Sequence, residues 1–145
     1  MHFIRHLLGL ALACSALAYV PAIAAINASQ LGASYNAKRS AITFKVYSSR
    51  ATRVELWLYA AAGASPEVAR IPLTRGSGDV WSTVVSRAAL KRAGLNGPVY
   101  YGYRAWGPNW TWDADWTKGS SLGFVSDVDA LGNRFNPNKL LVDPY

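Results

Sequence analysis

Two short runs, Ile42–Tyr47 and Arg53–Tyr59, constrain the fold more than any other part of the chain. Each alternates apolar and polar side chains. Ile42, Phe44 and Val46 share one face of the first run. Val54, Leu56 and Leu58 share one face of the second, with Arg53, Glu55 and Trp57 opposite. A period of two sends successive side chains to opposite faces of a pleated strand, so both runs read as half-buried strands. Ser48–Thr52 between them is a polar turn. The pair predicts two antiparallel strands with one solvated side.

The rest of the chain extends this pattern. Ala60–Pro66 is a small-residue loop, and Val68–Leu73 a weaker strand in which Pro72 suits only an edge or a strand end. Gly76-Ser77-Gly78-Asp79 is a turn before the β-branched run Val80–Val85. Ser86–Ala93 is the one helical stretch, capped by Ser86 and ended by Gly94. After the turn Asn96-Gly97-Pro98 comes the aromatic strand Val99–Ala105. From Trp106 the alternation stops, which predicts a long loop to about Lys139 and a last short strand at Leu140–Val142. Short strands with turns between them predict an all-β antiparallel sandwich with a long aromatic C-terminal loop.

The first 24 residues read as a secretory signal. Arg5 with His2 and His6 starts it, Leu7–Val20 is its apolar core, and Ala22-Ile23-Ala24 is a small-residue cleavage site. The core is shorter than the roughly 20 residues of a membrane span, and Pro21 closes it. Ala11-Leu12-Ala13-Cys14 departs from the usual lipid-attachment pattern, which prefers a larger aliphatic residue three before the Cys. The expected product starts at Ala25, is secreted or periplasmic, and has no membrane contact once the signal is removed. About 120 residues then remain, enough for one domain with its own core. That removal also takes the single Cys and both His. No Ser-His-Asp triad, Cys-His pair or zinc site with N or S ligands can be built from what is left. The formal charge of +7 is spread along the chain with no run of cations longer than two, which argues against a nucleic-acid surface.

Three blocks carry a family resemblance: Leu31–Tyr35 with Ile42–Ser49, Tyr100–Trp110, and Gly123–Asp129 onward to the terminal Asp143-Pro144-Tyr145. In order and spacing they resemble the N-terminal domain of secreted bacterial isoamylases in the α-amylase superfamily. That domain is a family-48 carbohydrate-binding module with an early-set immunoglobulin-like sandwich. The resemblance covers Ala25–Tyr145. It implies an accessory domain of a glycogen debranching enzyme that hydrolyses α-1,6 bonds. It also implies that the catalytic carboxylates and calcium ligands lie on a barrel beyond Tyr145, absent from this sequence. No catalytic residue, metal or cofactor is therefore expected here. The implied partners are α-glucan (glycogen or amylopectin), bound weakly, and an α-amylase-type barrel in cis or in trans. The alternatives are a stand-alone exported glucan-binding protein, or a purely structural domain that packs on a catalytic partner.

The residues themselves agree on catalysis. Asp113 and Asp115, flanked by Trp112 and Trp116, are the least implausible pair for glycoside hydrolysis. Loop Asp residues more often serve turns. Asp127–Gly132 starts like a calcium loop, but Leu131 and Asn138 fall where oxygen ligands are needed, which predicts a solvated turn. Carbohydrate binding has better candidates. Trp106, Trp110, Trp112 and Trp116 lie close in sequence. Flat sugar faces stack on such rings, and Asn109, Lys118 and Arg104 are suited to hydroxyls. The competing reading is that these tryptophans fill the loop's own small core or face the barrel. The expected platform is Trp110, Trp112 and Trp116 with Asn109 and Lys118. The expected barrel interface is Arg104, Trp106, Leu140, Leu141 and Tyr145, with Val142 alongside.

Overall fold

The computed structural model describes residues 30–63 and 65–145. The signal over residues 1–24 lies outside them. The strands are β1 (Gly32–Tyr35), β2 (Ala41–Tyr47), β3 (Arg53–Tyr59), β4 (Glu67–Pro72), β5 (Thr74–Arg75), β6 (Val80–Ser86) and β7 (Tyr100–Trp106). They form two antiparallel sheets, ordered β1-β2-β6-β5 and β4-β3-β7. The fold is an immunoglobulin-like β-sandwich. Among the described residues its one α-helix, α1 (Arg87–Arg92), starts where Ser86 Oγ accepts the Ala89 N–H. It stops at Gly94, whose φ of +83° lets Leu95 N–H reach back to the Leu90 carbonyl. Sequence reading misses β1 and the two-residue β5, because neither is long enough to show a period.

Between the sheets lies the first core. Phe44 of β2 and Trp81 and Val85 of β6 meet Val54, Leu56 and Leu58 of β3 and Tyr103 of β7. The alternation in β2 and β3 dictates this set. Burial of such aliphatic and aromatic side chains contributes about 1.5–3 kcal/mol each.

The antiparallel pair expected of Ile42–Tyr47 and Arg53–Tyr59 does not form: β2 and β3 lie in different sheets and face each other across the core. Only one sheet then has the solvated outer face that the sequence suggests. Outside β2 and β6, Tyr47 and Val84 are exposed. Outside β3 there is no solvated side: Glu55, Trp57 and Tyr59 are all buried, Trp57 completely. The expectation of one wet face on β3 is wrong, because residues 107–139 fold back over it. This covering segment has almost no regular structure and holds itself by side-chain staples. Asn109, 1% exposed, donates from Nδ2 to the Ser126 and Phe135 carbonyls (3.1 and 2.9 Å) and accepts the Phe135 N–H at Oδ1 (2.8 Å). Asn138 fastens its segment to the 119–120 turn in the same way, accepting the Gly119 N–H at Oδ1 and donating from Nδ2 to the Ser120 carbonyl. Two glycines permit the close approaches. A Cβ on Gly107 would sit 2.0 Å from the Phe135 ring, and one on Gly123 2.0 Å from the Thr111 carbonyl. Leu140–Val142 does not form a full strand. Leu141 makes one antiparallel bridge, exchanging both backbone hydrogen bonds with Tyr103 (2.9 and 2.8 Å).

Candidate functional site

The outer face of β4-β3-β7 gathers most of the residues singled out for function. Because β3 alternates, Arg53, Glu55, Trp57 and Tyr59 project together, and the antiparallel register sets Arg104 opposite Glu55 and Trp106 opposite Arg53. Glu55 links this row. Its carboxylate accepts from Arg53 Nε at 2.8 Å and from Trp57 Nε1 at 3.1 Å. The Arg70 and Arg104 guanidinium groups both lie over the Trp57 ring, each 4.2 Å from its centroid. Arg104 also donates to the Pro137 carbonyl, which brings the end of the covering segment down onto the sheet. Such stacked cations need little water, and this is how charged residues line a buried face.

The second core sits on this row. Trp57, Tyr59, Trp106, Trp110 and Trp116 form one buried cluster. Trp116 stands edge-on to Trp106 (5.2 Å, 87°) and to Trp57 (6.3 Å, 71°). The turn that drops it there is built by Asp113. Its Oδ1 accepts the Asp115 N–H at 2.8 Å and its carbonyl accepts the Trp116 N–H at 3.2 Å. Asp113 thus serves a turn. Trp110 Nε1 donates to the Leu122 carbonyl at 2.9 Å, and its ring packs edge-on to Phe124.

These placements correct most of the expected sugar platform. Trp110 and Trp116 are 6% and 5% exposed, and neither offers an open ring face. Asn109 spends its side-chain amide on the loop's own backbone. Only Trp112, 39% exposed, and Lys118 reach solvent. The Trp112 ring carries the Arg53 guanidinium 4.0 Å from its centroid. The Arg70 side chain first, and the Lys118 charge least, hold the Glu67 carboxyl of β4 below its ordinary value. The structure therefore divides the five residues between a core and a surface.

The expected barrel interface divides too. Arg104 and Trp106 are buried by this chain's own residues. Leu140, Leu141, Val142 and Tyr145 stay exposed, at 39, 48, 83 and 53%. Leu141 pairs through its backbone while its side chain faces out. The strap continues across the mouth of the sandwich. Asp143 Oδ2 accepts the Tyr101 hydroxyl at 2.6 Å, and Tyr145 reaches Gly32 of β1. Burial first, and then the Asp143 carboxylate, push the Tyr101 and Tyr103 phenols well above the ordinary tyrosine value. The Asp127–Gly132 turn is closed by Asp129, whose carboxylate accepts the Leu131 and Asn133 N–H groups and the Asn133 amide. The Asn133 amide above all holds that carboxyl below the usual range. Among the described residues no three carboxylate, His or Cys side chains gather as metal ligands would.

Two antiparallel sheets, one of them sealed by the chain's own covering segment, define a small β-sandwich module. Comparison with known proteins agrees. The chain belongs to the family described as carbohydrate-binding module 48 (isoamylase N-terminal domain), whose model matches residues 30–145. It is 58% identical over 143 residues to an isoamylase of a Flavobacterium species, covering 97% of this chain. It is 56% identical over 137 residues to the isoamylase of Pseudomonas amyloderamosa, covering 92% of this chain. It is 36% identical over 123 residues to a Klebsiella pneumoniae glycogen debranching enzyme, covering 84% of this chain and 14% of that protein. The chain spans 18% of the length of each of the two isoamylases.

Proposed function

We propose that this chain serves an exported isoamylase-type glycogen debranching enzyme as its N-terminal accessory module. In this reading it packs against an α-amylase-type barrel that hydrolyses α-1,6 branch bonds of glycogen or amylopectin, in cis or in trans. The observation that carries it is the strap. Leu140, Leu141, Val142 and Tyr145 are uncovered apolar side chains on a segment whose backbone is pinned at Tyr103 and Asp143. Uncovered apolar side chains gathered on a fixed segment mark a partner surface. Export rests on the pattern of residues 1–24. The other expected interface residues, Arg104 and Trp106, act indirectly by holding the face from which the strap departs.

The test supplies the partner. The full chain is mixed with the catalytic region of the Flavobacterium isoamylase lacking its own N-terminal module, and the mixture is sedimented. The expected result is a one-to-one complex that a Leu141→Ser, Val142→Ser double variant does not form. Free migration of the folded parent chain beside the barrel, at every concentration, refutes docking and favours a stand-alone glucan-binding protein.

A further inference from the structure

We infer an anion site for clustered phosphate groups at the Ala41 end of β2, built by cations that lie far apart in sequence. Lys38 and Arg39 sit in the turn before β2, and Arg87 and Lys91 on α1, about fifty positions later. The β2–β6 register brings the two segments together. Ala41 lies opposite Ser86, and the Arg87 N–H donates to the Ser40 carbonyl at 2.8 Å. The four side chains are exposed and border one open concavity of about 550 Å³, with Ser40 and Ser86 between them. Arg39, Arg87 and Lys91 also border a narrower recess of about 40 Å³ that reaches in to Ile42 and Leu90. No carboxylate borders either space. The ion pairs among the described residues, Arg53–Glu55, Arg70–Glu67 and Arg75–Asp79, all lie elsewhere.

The local structure gathers these charges against its own preferences. Arg87 and Lys91 stand four apart on α1, where like charges repel. Arg87 opens the helix, at the end whose dipole disfavours a cation, and the first turn has no acidic residue to offset it. Arg39 has a φ of +48°, in the left-handed region where Asn or Gly is less strained. Asn36 fixes that turn: its carbonyl accepts the Arg39 N–H at 2.9 Å, and its Oδ1 accepts the Ser40 N–H at 2.8 Å. Cations placed against the helix dipole, the backbone preference and one another do not serve the stability of the domain. They fit a ligand of opposite charge. A recess walled by one sign of charge concentrates counter-ions. The guanidinium forks of Arg39 and Arg87 match the paired oxygens of phosphate, and Lys38 and Lys91 add point charges. Four positive charges around one space call for more than one phosphate group. The site does not depend on barrel docking. It lies at the Tyr35 end of β1, whereas Tyr145 of the strap meets Gly32 at the other end.

Calorimetric titration of the full chain with sodium triphosphate tests the site, beside co-sedimentation with phosphatidylglycerol vesicles and phosphatidylcholine controls. Triphosphate binding assigns the site to free phosphates. Retention on phosphatidylglycerol alone assigns it to lipid headgroups. Binding to neither overturns it. Arg39→Asn, Arg87→Ala and Lys91→Ala are each expected to weaken binding roughly three- to tenfold, the loss of one charge-assisted contact at an exposed site. Raising the salt about tenfold should weaken it on the order of tenfold. Each variant should melt with the parent or above it, since asparagine suits the left-handed backbone and alanine the helix. Lys139→Ala removes an equal charge at the far end of β2, beside Tyr47, and should bind as the parent does. Weakening by Lys139→Ala equal to that by Arg87→Ala would reduce the effect to net charge. Citrate bound as tightly as triphosphate would remove phosphate recognition. Either result overturns the site.

Discussion

Replacing Trp116 by Ala separates a second core from a sugar platform. The side chain is 5% exposed and wedged edge-on between Trp57 and Trp106, both fully buried. Truncation removes the indole and leaves a cavity that the β3 and β7 backbones cannot close. Such changes cost about 3–5 kcal/mol. A domain of this size has about 5–15 kcal/mol in all, and 1 kcal/mol corresponds to roughly 4 °C in melting temperature. The variant should therefore melt roughly 10–20 °C lower, with its urea midpoint shifted to match. Trp116→Phe is the informative companion. The Trp116 indole N–H is buried with no partner among the described residues. Phe keeps much of the edge-on packing and deletes that orphan donor, so its cost should be about 1 kcal/mol. Urea denaturation followed by far-ultraviolet circular dichroism reads both. A Trp116→Ala chain that melts within about 2 °C of the parent yet loses retention in glycogen gels would refute the second core and restore Trp116 as a ligand platform.

Asn109→Ala strands the Phe135 N–H and the Phe135 and Ser126 carbonyls under the covering segment, and should cost about 2–4 kcal/mol; thermal melting measures it, and a neutral result would mean that the segment is held elsewhere. Leu141→Ser, by contrast, changes an exposed side chain and keeps the backbone pair with Tyr103, so it should fall within about 0.5 kcal/mol of the parent. At alkaline pH the raised phenols of Tyr101 and Tyr103 keep their protons in the folded state while the unfolded chain gives them up near the ordinary value of 10.0. Their stabilising contribution is thus full below that value and declines as pH rises beyond it. Urea midpoints across this window should fall less steeply in a Tyr101→Phe, Tyr103→Phe variant; an identical slope would contradict the assignment.

The strands were readable because Ile42–Tyr47 and Arg53–Tyr59 carry an unbroken period of two, and the helix because Ser86 and Gly94 mark its ends. The covered face of β3 was not readable for a specific reason. Arg53 and Glu55 look like solvent-facing charges, yet each is neutralised locally, by the other, by the Trp57 indole and by stacking on Trp112. Nothing nearby in sequence announces this, since the residues that seal the face, Trp110, Trp112 and Trp116, arrive more than fifty positions after Trp57. The tryptophan cluster was visible as a cluster. Whether its rings faced a ligand or each other depended on where Asn109 was anchored, and its partner Phe135 lies 26 residues away. Close-approach glycines were the one local hint: Gly107 and Gly123 lie where another segment touches the backbone. At Leu140–Val142 the sequence reads as a last short strand, and the structure keeps only the single bridge of Leu141 to Tyr103 of β7, because three residues are too few to set a register.

Limited oxidation with N-bromosuccinimide, read by peptide mass spectrometry, tests the closed face most directly. The chain has six tryptophans, and five of them, Trp57, Trp81, Trp106, Trp110 and Trp116, are buried. Trp112 alone is substantially exposed. The folded chain should therefore take up oxygen at Trp112 first, and at the other five only as it unfolds. Oxidation of Trp110 and Trp116 at the rate of Trp112, in a chain that still shows its full cooperative melt, would contradict the account: the outer face of β4-β3-β7 would then be an open aromatic platform and not a second core.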